Sequence, residues 1–224
     1  MEDLINILKY VELGALICCL LVYCRNPNTL YRFLLLILLV INFTEWGLGY
    51  LQEHHVKVRF NKKMIGYNTF VPLQLTLWGI FIAKQLQNTK WISLLKLISS
   101  IYFLLSVVFA ILIFNGIKFG NIGTFFTPSY AAGVIILSIA CLRYLYEFGK
   151  SDLIMGKWAN TILPMVIMLL VFYLGTLPFH TMRSYLYYNY LRIFNGYYYL
   201  FLIFNYLLYI TIAINALTLY KPKK

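Results

Sequence analysis

Charge is what this chain has least of: Asp, Glu, Lys and Arg supply 12% of its 224 residues, against about 25% in a domain that folds in water. With 62% of its side chains hydrophobic, water is not its main solvent. Catalytic signatures are missing as well. There is no Gly-x-Ser-x-Gly elbow, no Gly-x-x-x-x-Gly-Lys-Ser/Thr loop and no pair of aspartates in facing apolar runs, which excludes the common hydrolases, phosphate-cradling enzymes and aspartyl proteases. Glu53-His54-His55 lacks the His-Glu-x-x-His spacing that sets two metal ligands on one helical face. Cysteine is scarce: Cys18, Cys19 and Cys24 belong to the first apolar run and Cys141 to the fifth, without the spacing of a metal knuckle or a disulfide framework. No lysine stands between Asn195 and Tyr220 to hold a retinal Schiff base. The chain is expected to be no enzyme and to need no cofactor or metal.

What the sequence does have is long apolar runs, at 4–24, 31–51, 66–84, 91–114, 128–147, 159–178 and 195–219. They are continuously apolar, as in Phe33-Leu34-Leu35-Leu36-Ile37-Leu38-Leu39-Val40-Ile41, where a barrel strand would alternate. The prediction is an all-α polytopic membrane protein with about seven transmembrane helices in one compact bundle. Residues 1–224 form a single domain, because seven spans of about 20 residues leave roughly 84 for tails and loops. The third run is the weakest, interrupted by Asn68, Pro72 and Gln74. The first is not read as a cleaved signal peptide, since Glu2 and Asp3 replace a basic leader and no small-x-small site follows Cys24.

Basic residues set the expected orientation. Eight Lys and Arg fall on the side of the amino terminus and loops two, four and six, and eleven fall on the opposite side. That bias puts the carboxy terminus in the cytoplasm of a bacterial inner membrane and the amino terminus outside. The net charge of +12 is spread over short loops, which matches membrane lipids as partners and provides no direct nucleic-acid site. Tyr187, Tyr188, Tyr190, Tyr197, Tyr198 and Tyr199 read as part of an interfacial belt.

Acids inside apolar runs are the strongest functional signal. Glu12 lies about 12 Å from the start of its run and Glu45 about 9 Å from the end of the next, so both reach comparable depth from one side. An ionised carboxylate there costs at least about 2.5 kcal/mol; each acid must be neutralised, paired or wetted. Asn68, Gln74 and Asn205 fall in the same half and complete a proposed intramembrane polar site. His54, His55, His180 and Arg183 are expected in loops at the mouth of that vestibule. Such a site would serve a ligand sensor or a proton-coupled small-solute transporter.

The order of Glu12, Glu45-Trp46-Gly47, Tyr67-Asn68-Thr69-Phe70 and Tyr173-Leu174-Gly175 resembles small seven-span membrane proteins of Bacteroidota, and among them the accessory membrane proteins of type VI-B CRISPR loci. That resemblance implies an antiviral-defence accessory, acting as a homo-oligomeric pore or membrane modulator beside an RNA-guided effector protein. It implies no nuclease, for no arginine is followed four to six residues later by histidine, the pattern of a different CRISPR accessory group.

Overall fold

The structure, a computed structural model, describes residues 2–25, 27, 29–53, 60–115, 127–150 and 157–218. Among them are seven α-helices and no strand: α1 (Glu2–Arg25), α2 (Thr29–Glu53), α3 (Phe60–Ala83), α4 (Thr89–Phe114), α5 (Thr127–Lys150), α6 (Lys157–Asn189) and α7 (Leu191–Thr218). Among the described residues, α1, α2, α4, α5, α6 and α7 each hold a stretch long and apolar enough to cross a membrane. The fold is that of an all-α polytopic membrane protein, in which each helix satisfies its own backbone in a medium that cannot.

Neighbour relations define a ring. α1 packs on α2, α2 on α3, α3 on α5, α5 on α6, α6 on α7 and α7 back on α1, while α4 sits outside against α3 and α5. The sequences follow these positions. Only 22% of the apolar window of α4 is buried, against 44% for α2 and α6, so α4 is apolar nearly all round and turns Leu97, Leu104 and Leu105 outward. α3 is its opposite: every side chain from Tyr67 to Ala83 is buried or half-buried. Protein screens it from lipid, so Asn68, Pro72 and Gln74 are tolerated there. The weak third run is thus the most enclosed helix.

Small residues allow the closest approaches. A Cβ on Gly79 would stand 2.8 Å from Ser99 Oγ, and one on Gly133 would meet Leu75 Cδ1 at 2.7 Å and the Tyr102 ring. These two glycines let α3, α4 and α5 come together around Trp78, the largest fully buried side chain. Local chemistry marks the ends. Asn88 caps α4, its side chain accepting from the backbone N–H of Lys90 and Trp91.

The sixth apolar run ends at 178, but α6 continues to Asn189. Tyr190 N–H donates to Leu186 O and Phe194 N–H to Tyr190 O, so helical hydrogen bonding runs through the junction into α7. No extended loop lies there. His180 and Arg183, expected in a loop, are helical residues of α6, because an aromatic-rich segment keeps its helix after its apolar run stops.

Candidate functional site: a carboxylate and tyrosine cluster

Glu12 points inward because it occupies the buried stripe of α1. Leu8, Glu12, Ala15, Cys19 and Val22 are all buried, alternating steps of four and three that keep one helical face toward the bundle. Glu12 itself is 3% exposed. Glu45 follows Ile41 and Asn42 on the inner face of α2 and is half-buried. The two carboxylates lie within electrostatic reach of each other.

Each acid has a phenol. Tyr67 of α3 donates to Glu45 Oε2 at 3.4 Å, and Tyr209 of α7 stands within reach of Glu12. Glu12 Oε2 keeps no hydrogen-bond partner among the described residues. Asn42 ties α2 to α1, its Nδ2 donating to Glu12 O at 3.4 Å and to Leu38 O at 2.9 Å. Two cations stand by: Lys9 is within reach of Glu12 and sits 5.9 Å over the Trp46 ring, and Arg183 is within reach of Tyr67. From buried Glu12 through half-buried Glu45 to exposed Arg183, the cluster rises to the bundle end where α1 begins. Further along α2, α6 and α7, Ile37, Leu38, Leu169 and Ile212 are fully buried.

The other residues singled out in the sequence scatter. Asn68 is buried one position beyond Tyr67. Asn205 is buried but its Nδ2 donates to Phe201 O at 2.9 Å on its own helix, and Gln74 is half-buried on α3. Among the described residues no hydrogen bond joins Gln74 or Asn205 to either carboxylate. His180 is boxed by aromatic rings, with centroids 4.5 Å from Tyr130, 5.5 Å from Phe179 and 5.4 Å from Phe201. His54 and His55 lie outside the described residues. Among the described residues no three His, Cys, Asp or Glu side chains group as metal ligands would.

What sequence reasoning missed is a file of buried tyrosines. Tyr209 is in electrostatic range of Tyr173 on α6, Tyr173 of Tyr130 on α5, and Tyr130 of Tyr102 on α4. Tyr130 shares a 3.2 Å hydroxyl contact with Thr176. Trp78 Nε1 approaches Tyr173 without completing a hydrogen bond. Position in the apolar runs does not separate them from Tyr187, Tyr188, Tyr190 and Tyr199, which are exposed; packing does.

Chemically, the cluster presents two acids and two phenols from four helices, with no activated nucleophile and no base–orienter pair. It can accept a cation or a hydrogen-bond donor. No protein-family model, curated protein or solved structure matches the chain.

Proposed function

We propose that the protein is a non-enzymatic membrane receptor whose carboxylate and tyrosine cluster binds a small cationic or hydrogen-bond-donating solute. The single observation that carries this is the meeting of Glu12 and Glu45 with Tyr209 and Tyr67 beside them, on four different helices. Because α1, α2, α3 and α7 all contribute, a solute bound there bears on how these helices sit against one another, which is the requirement for reporting occupancy elsewhere. The fully buried apolar residues further along these helices favour a sensor over a channel through one copy. The bias of eleven basic residues against eight supports a receiving face outside an inner membrane.

The test is thermal unfolding of the detergent-purified protein with a panel of primary amines, polyamines and monovalent cations. A bound solute at 100 times its Kd raises stability by about 2.7 kcal/mol. Glu12→Gln and Glu45→Gln should each remove the shift. No shift with any member, or one retained by both variants, defeats the proposal.

The second reading, a defence-associated membrane modulator, rests on the resemblance. Glu12, Glu45, Tyr67 and Tyr173, which carry it, gather in or beside this cluster. It calls for an oligomer and for solute flux through liposomes. A monomer without flux excludes it.

A further inference from the structure

A cavity of about 420 Å³ opens at the other end of the bundle, among the start of α2, the end of α3 and the start of α6. Its floor is apolar: Phe81 and Ile162 are buried and Phe33 is half-buried. Its rim is polar: Thr29 and Lys84 are exposed and Gln85 is half-buried beside them. Lys84 Nζ lies 3.8 Å over the Phe33 ring, so the one charge in the pocket stands where its apolar wall meets its mouth.

The position in the fold says what kind of molecule meets this mouth. Thr29 is the first residue of α2 and Lys84 follows the last residue of α3. These are the levels at which apolar helices leave the hydrocarbon and enter the headgroup layer. Charge there is one-sided. Arg25, Arg32, Lys90 and Lys150 share that end with Lys84, and Glu147 is already engaged by Arg143 at 2.9 Å and by the Gln87 N–H at 2.8 Å. Among the described residues no carboxylate lies within salt-bridge distance of Lys84.

We propose that this cavity is a binding site for an anionic phospholipid, with the headgroup phosphate at Lys84 and the first acyl carbons against Phe33, Phe81 and Ile162. A cation at the rim selects acidic over zwitterionic lipid, and the side-chain amide of Gln85 and hydroxyl of Thr29 offer further donors to phosphate oxygens. The apolar floor selects lipid over a free anion, since bare phosphate gains nothing from it. This site is independent of the carboxylate cluster.

Native mass spectrometry of the full chain in mild detergent tests the assignment, with phosphatidylglycerol, phosphatidylcholine and inorganic phosphate as separate probes. One phosphatidylglycerol is expected to be retained in preference to phosphatidylcholine. Lys84→Gln should weaken that retention about fivefold, the worth of one lysine near an acidic headgroup, and Lys84→Arg should keep it. Ile162→Trp, which fills the floor, should abolish it while Lys84 stays in place. Equal retention of the two lipids, or unchanged retention in Lys84→Gln, overturns the proposal. Competition by inorganic phosphate at the same concentration as the lipid overturns it in favour of a free-anion site. A misfolded variant is recognised by loss of helical circular dichroism, and the wild-type lipid preference then decides alone.

Discussion

The ring of Tyr102 fills the space that a side chain at position 133 would need: a Cβ built on Gly133 would lie 2.6 Å from Tyr102 Cζ. Glycine at this point of α5 is a condition for α4 to dock, because Tyr102 is buried and belongs to the seam between them.

Gly133→Ala should therefore destabilise the protein by about 1–3 kcal/mol, the range for overpacking a close interior. Unfolding in a detergent denaturant series measures it. Gly47→Ala, where a Cβ would meet nothing within 4 Å, should have little effect.

Tyr67 and Glu45 should be coupled. A double-mutant cycle with Tyr67→Phe and Glu45→Gln is expected to yield about 0.6 kcal/mol, rising no higher than about 1.7, as for hydrogen bonds between membrane helices. A coupling of zero would mean that the 3.4 Å contact holds nothing.

Tyr209→Phe removes the phenol hydroxyl that stands within reach of buried Glu12, and a loss of about 1–3 kcal/mol is expected if that hydroxyl serves the acid. Tyr188→Phe, on a residue 82% exposed, should change stability by less than about 0.5 kcal/mol. Thermal melts of the two variants side by side provide the comparison.

Placed alone in a membrane-insertion reporter, α3, whose apolar run is interrupted by Asn68, Pro72 and Gln74, should insert less efficiently than the uninterrupted α4. Within the full chain both should protect their central residues from a water-soluble thiol probe introduced at cysteine substitutions. Insertion of isolated α3 as efficient as that of α4 would mean that its polarity does not depend on its enclosure.

Legibility in the sequence tracked what each helix touches. α4 could be read directly, because Leu97, Leu104 and Leu105 face outward and lipid demands an apolar surface. α3 read weakly because its neighbours, not lipid, surround it. Glu12 and Glu45 stood out because an acid in an apolar run is costly and rare. Tyr173 and Tyr209 did not, since tyrosine suits both a membrane interface and a buried polar seam, and only the packing of α6 and α7 separates the two. His180 was misplaced for a related reason. The end of an apolar run is not the end of a helix: α6 runs on for eleven residues past 178 to Asn189.

The approach of Tyr209 to Glu12 joins α1 to α7. A ribosome adding about 5–20 residues per second needs roughly ten to forty seconds to traverse what separates them. During that interval the newborn α1 carries an acid whose neighbouring phenol does not yet exist. Chains halted before α7 should therefore be marked for degradation by the cell, and the abundance of truncated products would report when the ring becomes whole.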